Sequence, residues 1–221
     1  MGKTHNLWTF GCSHTYGHGL EDCYDKATNG CGPTPSKLGY ASMLANDLKL
    51  NLINHSRPGA GNKHIYFRLQ KHIDMIQPWD IVVLKWSYIE RSCIVSNDKG
   101  DLIMFGPWMK EKIVKAYYKN LYYDTDAIWE TINYINLAEL MLRHLGIKTV
   151  IHIKPPIGII NKSLFTKAFD ELRIKKLVMC DENITDLSID NACDGVHPGP
   201  KTQRIFADHL RKFIEEHEQN Y

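Results

Sequence analysis

Blocks of apolar and polar positions change period several times along the chain. Leu7-Trp8-Thr9-Phe10 is a short apolar run that reads as a buried strand. From residue 37, Leu38, Ala41, Leu44, Ala45 and Leu48 recur at helical spacing. Residues 50–54 read as a second strand and 63–76 as a second helix, with Ile65, Leu69, Ile73 and Ile76 in register. The continuous apolar core of 79–86 predicts a central parallel strand. A helix is predicted over 126–145, where Ile128, Ile132, Ile135, Leu137, Leu140, Met141 and Leu145 share the pattern and Gly146 supplies the stop. Residues 148–154 form a fourth strand, ended by Pro155-Pro156. A helix over 163–172, a short fifth strand at 177–179 and a closing helix over 201–217 complete the series. This order predicts one α/β domain across 1–221, a three-layer α/β/α sandwich with a flavodoxin-like parallel sheet of about five strands. Residues 87–125 depart from the alternation. They read as an insertion after the third strand, with a hairpin formed by 92–95 and 102–105.

Two stretches carry chemistry. Gly11-Cys12-Ser13-His14 follows the first strand directly, so Ser13 falls at the carboxyl edge of the sheet, where ligands bind in open α/β folds. Taken alone, Ser13 also fits the N-cap of a following helix. Near the other end, Asp194-Gly195-Val196-His197 places a carboxylate three residues before a histidine. With Ser13 these supply a nucleophile, a base and an orienting group for acyl transfer.

The two blocks together resemble the SGNH (GDSL-like) hydrolases, from about residue 5 to residue 215. The resemblance implies a serine esterase with catalytic Ser13, His197 and Asp194. It matches Asn54-x-Ser56-x-x-Gly59 to the family's second block, which makes the backbone N–H groups of Ser13 and Gly59 oxyanion donors. The family's third donor, an asparagine after the third strand, is absent; Lys85-Trp86-Ser87-Tyr88 stands there. Asn62, on the Gly59 loop, and Ser87, at the vacant position, are the two candidates to replace it, with Asn62 preferred. Cys12 stands where the GDS form of the first block has aspartate.

Around this core, His14, Trp86 and Arg91 are expected to line the substrate pocket. A polar, glycine-rich connection over 14–36 is expected to lie over the nucleophile. His14 and His18 are four residues apart, but the glycines beside them argue against a helical metal pair, and no metal or other cofactor is expected. The expected substrate is an acetyl or other short acyl ester of a carbohydrate or small molecule. A catalytically weak binding module on the same fold is the alternative, favoured by the missing asparagine. A lipase or thioesterase fits less well, because the 14–36 stretch is polar.

Composition narrows the choice of partners. The 221 residues carry a formal net charge of +2, too mild to argue for nucleic acid or an anionic membrane. No apolar run has the length of a membrane helix and no leader-like segment opens the chain, so a cytoplasmic protein is expected. The six cysteines form no close CxxC pair and read mostly as reduced thiols, with Cys23 and Cys31 a possible pair in an oxidising setting.

Overall fold

The computed structural model describes residues 5–96, 102–157, 159–171 and 177–218. Five parallel strands form the sheet: β1 (Asn6–Phe10), β4 (Asn51–Asn54), β5 (Ile81–Lys85), β8 (Thr149–Ile153) and β9 (Met179–Cys180), in the order β4-β1-β5-β8-β9. β1 sits one strand in from the edge, with Trp8 opposite Ile53 on one side and Val82 on the other.

The strand pattern explains the layers. Successive side chains point to opposite faces, and both faces are covered, so the central strands are apolar at nearly every position. Trp8, Phe10, Val82, Leu84 and Val150 face α3 (Asn62–His72) and α5 (Asp124–His144), meeting Ile65, Leu69, Ile128, Ile132 and Ile135. Leu7, Ile81, Val83, Ile151 and Ile153 face α2 (Tyr40–Asp47) and α7 (Pro200–Glu218), meeting Tyr40, Leu44, Phe206 and Leu210. α6 (Ile159–Glu171) adds Phe165 and Ala168 to the first layer. Asp80 pins the start of this frame. Its carboxylate accepts hydrogen bonds from the Asn6 backbone, the Trp8 indole at 2.7 Å and the Gln77 backbone.

Parts of the chain differ from the sequence pattern. The last strand lies at 179–180 rather than 177–179, because only His152 and Ile153 of β8 pair with it. The 14–36 connection is ordered by local bonds. It contains α1 (Ser13–Tyr16) and a ribbon of β2 (Tyr24–Asp25) and β3 (Gly30–Cys31), and Asp22 accepts bonds from the Ser36 hydroxyl and the Lys37 N–H. All six cysteines are free thiols, Cys23 and Cys31 included. The inserted segment forms the expected hairpin, β6 (Ser92–Val95) with β7 (Leu102–Phe105), then α4 (Lys112–Asn120); the turn between the strands lies outside the described residues.

One packing detail has a pH consequence. His55 follows β4 and stacks between Trp8, at 5.7 Å, and His72, at 3.7 Å. Burial, then the charges of His72 and Arg68, push its pKa down to about 4. Burial and the neighbouring Arg68 and Arg57 push His64 to about 4 as well. Both titrate near 6.5 in the unfolded chain. Between about pH 6.5 and pH 4 the unfolded chain therefore binds more protons, and stability is lost as pH falls through that window. Thermal unfolding is expected to show Tm falling steadily across it, and a flat Tm would contradict the burial of these rings.

Candidate active site

β1 ends at Phe10, and the chain turns at once into the short helix α1. Ser13 is its first residue and Cys12 the N-cap, with no side-chain capping bond. Ser13 is therefore not an N-cap. Its backbone N–H makes no hydrogen bond among the described residues, as befits the first turn of a helix.

The loop 191–198 brings the histidine to this helix. His197 Nδ1 lies 2.6 Å from Asp194 Oδ2. The other carboxylate oxygen accepts the backbone N–H groups of Val196, at 2.9 Å, and His197, at 3.0 Å. Burial works to raise the Asp194 carboxyl, but these bonds and the His197 ring outweigh it and hold the group below its ordinary value. An anionic acceptor on Nδ1 fixes the proton there and leaves Nε2 as the basic nitrogen.

Two residues that follow Ser13 in the chain touch His197. The His18 ring stacks on His197 at 4.5 Å, and His18 donates its backbone N–H to the Ser13 carbonyl. The His14 ring meets His197 edge-on at 5.8 Å and Tyr88 at 6.3 Å. Burial, with the charges of Lys85, His197 and Arg91, keeps His14 well below its usual pKa, so it is a neutral wall of the site. The Ser13 hydroxyl makes no hydrogen bond among the described residues; such contacts commonly tighten only with substrate bound.

Gly19 braces the arrangement. Its carbonyl accepts the Cys193 N–H at 2.8 Å, and it adopts φ +86°. A Cβ at that position would lie 2.5 Å from Asp194 Oδ2, so only glycine lets the carboxylate in.

In the turn after β4, Gly59 has φ +78° and open space where a side chain would stand. Its N–H has no partner among the described residues. Asn62 behaves differently from expectation. Its amide donates to the Ser87 carbonyl at 3.1 Å and the Thr131 hydroxyl at 2.9 Å, and its oxygen accepts the Ser87 N–H at 2.6 Å. Both amide hydrogens are used in the core, so the expected oxyanion role of Asn62 does not fit this geometry. Asn62→Ala is instead expected to lower unfolding stability by roughly 2 kcal/mol or more, because it strands a buried N–H and C=O. Denaturant unfolding measures this loss.

Ser87 is fully buried. Its hydroxyl accepts from Arg91 Nη1 at 3.4 Å. Lys85 is fully buried close by, its ammonium without a hydrogen-bond partner among the described residues. Burial alone would raise the Cys12 thiol, but Lys85, Arg91, the His14 N–H and Ser87 together hold it below its ordinary value. The segment before Ser13 thus sits in a positive field. The Arg91 guanidinium lies over Tyr88, at 4.5 Å, and Trp108, at 5.1 Å.

Trp86 is a correction. It is fully buried in the core and donates its indole N–H to His152 Nδ1 at 3.0 Å, and the other ring nitrogen of His152 meets Glu139 at 3.2 Å. The continuous apolar run carries Trp86 inward, away from solvent.

A cleft of about 760 Å³ opens beyond Tyr88, at the carboxyl edges of β5, β8 and β9. Tyr88, Tyr122, Asp124, Lys154, Asp181 and Asp186 are among its walls, with Lys154 paired to Asp181 at 2.9 Å. Asn183 also lines it, and its Oδ1 is buried without a partner among the described residues. The sequence reading missed this 181–186 wall. The edge rule that singled out Ser13 points to it equally, but a strand of two residues gives little signal.

Ligand atoms of His18, Asp194 and His197 lie within 4.8 Å of one another. The 2.6 Å between Asp194 and His197 is a hydrogen-bond distance, whereas nitrogen and oxygen ligands at about 2.0–2.2 Å around a tetrahedral zinc stand more than about 3 Å apart. The pair reads as an acid–base couple rather than a metal site.

No protein-family model and no curated protein sequence matches the chain. Solved structures do match it in fold. An acetyl xylan esterase, Est2A, from the rumen bacterium Butyrivibrio proteoclasticus superposes with TM-score 0.60 at 15% identity, over 98% of this chain and 65% of the esterase chain. The present chain therefore spans about two thirds of that protein. TesA matches with TM-score 0.62 at 12% identity, over 96% and 99% of the two chains. A putative G-D-S-L lipolytic protein from Desulfitobacterium hafniense matches with TM-score 0.55 at 10% identity, over 96% and 100%. The fold is that of the SGNH, or GDSL-like, hydrolases: a single α/β/α domain around a five-stranded parallel sheet.

Proposed function

We propose that the chain is a serine esterase that removes a short acyl group from a polar alcohol, a carbohydrate or a comparable small molecule. The observation that carries this reading is the Asp194–His197 pair at 2.6 Å, on a loop bonded to Gly19, with the His197 ring stacked on His18 and edge-on to His14, the residue after Ser13. In the first half-reaction Ser13 Oγ attacks the acyl carbon and passes its proton to His197 Nε2. The tetrahedral oxyanion meets the free N–H groups of Ser13 and Gly59. His197 then gives the proton to the departing alcohol oxygen. Water, deprotonated by the same nitrogen, repeats the sequence on the acyl-enzyme and restores Ser13.

Of the two candidates for a third donor, Asn62 is bonded in the core and Ser87 is buried with its hydroxyl accepting from Arg91. Arg91, held at that hydroxyl, is the charged group available to a carbonyl or anionic oxygen of the substrate. The cleft supports a polar alcohol. Two tyrosines, three aspartates and the unsatisfied Asn183 oxygen suit hydroxyl groups better than an acyl chain. The acetyl xylan esterase and the carbohydrate esterase among the similar structures agree with this class. Hydrolysis of acetylated sugars and of p-nitrophenyl esters of increasing chain length tests it. Turnover is expected to be highest for acetyl and to fall as the acyl chain lengthens.

A binding module with weak catalysis is the second reading. The unbonded Ser13 hydroxyl and the loss of the family asparagine favour it. It predicts saturable binding of the sugar without acyl transfer.

A further inference from the structure

The helix that follows the Gly59 turn carries His64, Arg68 and His72 at four-residue steps, and so on one face. His55 lies against them. Its ring stacks on His72 at 3.7 Å, and its Nδ1 is 3.2 Å from Arg68 Nη2. Arg57, exposed at the start of the Gly59 turn, acts electrostatically on both His64 and Arg68. Lys71 acts on His72.

Among the described residues, the charged groups that shift His55, His64, Arg68 and His72 are all bases. Arg57, Arg68 and Lys71 form no ion pair among the described residues. His64 Nδ1, Arg68 Nε and His72 Nε2 are buried with no hydrogen-bond partner there, and His64 is only 6% exposed.

We propose that this cluster, Arg57, Arg68, His55, His64 and His72, is a binding site for a small phosphate-type anion. The chemistry is complementary at each point. Guanidinium groups present planar forks of N–H donors to tetrahedral oxyanions, and imidazoles add single donors at the flanks. Like charges gathered without a counter-ion repel one another, and a bound anion removes that cost. Burial works against protonation of these histidines in the free protein, and a bound anion would favour their charged forms. The size of the cluster, five side chains on one helix face and one adjoining turn, fits one or two phosphate groups rather than a polymer track. This site does not depend on the esterase reading, because none of its five residues belongs to the proposed triad.

Calorimetric titration of the 221-residue chain with inorganic pyrophosphate, at neutral pH and constant ionic strength, tests it, with orthophosphate and chloride as separate arms. Saturable one-site binding of pyrophosphate is expected, tighter than orthophosphate and absent with chloride, together with a higher Tm. Arg57→Gln changes an exposed side chain and is expected to fold normally. It should weaken pyrophosphate about tenfold or more, the scale of one charge-assisted hydrogen bond. Arg68→Gln should weaken it at least as much, and Ser13→Ala should leave it unchanged. Absence of saturable binding overturns the proposal, as does binding that survives Arg57→Gln undiminished. A short single-stranded oligonucleotide that binds more tightly than pyrophosphate, and loses affinity with Arg57→Gln, would replace the small anion with a nucleic acid.

Discussion

Ser13→Ala is expected to fold like the parent protein and to lose ester turnover by about 10⁴-fold or more, the scale seen when a serine triad loses its nucleophile. The side chain is small and makes no hydrogen bond among the described residues, so removing its oxygen breaks no structural contact. The N–H of residue 13 survives the substitution and still offers a donor to the oxyanion. Substrate binding should therefore persist while kcat collapses. Steady-state kinetics on a p-nitrophenyl acetate scale, with thermal unfolding as the control, reads both quantities. Parent-like turnover in a clean preparation of the variant would remove Ser13 from the mechanism.

Asp194→Asn is expected to cost nearly as much, about 10⁴-fold in kcat. The reason lies in how the carboxylate is used. One oxygen holds the Val196 and His197 N–H groups, and the other accepts the His197 ring at 2.6 Å. An asparagine can keep its oxygen on the two backbone N–H groups, which leaves the loop in place. Its NH₂ then faces His197 Nδ1 and favours the tautomer with the proton on Nε2, the wrong nitrogen for a base. No other acceptor serves His197 Nδ1 among the described residues, so nothing restores the tautomer. A loss of less than about tenfold would show that the ring is oriented by something other than Asp194.

The layers were legible in the chain because both faces of β5 and β8 are covered, and a continuous apolar run has few other uses. Ser13 and the Asp194/His197 pair were legible because each depends on short-range spacing next to an element boundary. Asn62 was not. Sequence shows an amide beside a turn, but its direction is set by Thr131, 69 residues away, and by the Ser87 backbone. Trp86 failed for a related reason, since its partner His152 lies on the neighbouring strand. Gly19 carries no local signal of its role, because what it accommodates is a carboxylate brought from the far end of the chain. The basic cluster was hidden in the same way. Its helix reads as amphipathic, and only the fold brings His55 and Arg57 onto the polar side of that helix.

The central claim is that Ser13 is a nucleophile activated by His197. Reaction with an alkyl fluorophosphonate, followed by mass spectrometry of the intact protein and its peptides, tests it most directly. The account predicts a single adduct per chain on Ser13, loss of esterase activity in step with labelling, and strongly slowed labelling in His197→Ala. A protein that hydrolyses esters yet takes up no label at Ser13, or takes it up equally fast without His197, would contradict it.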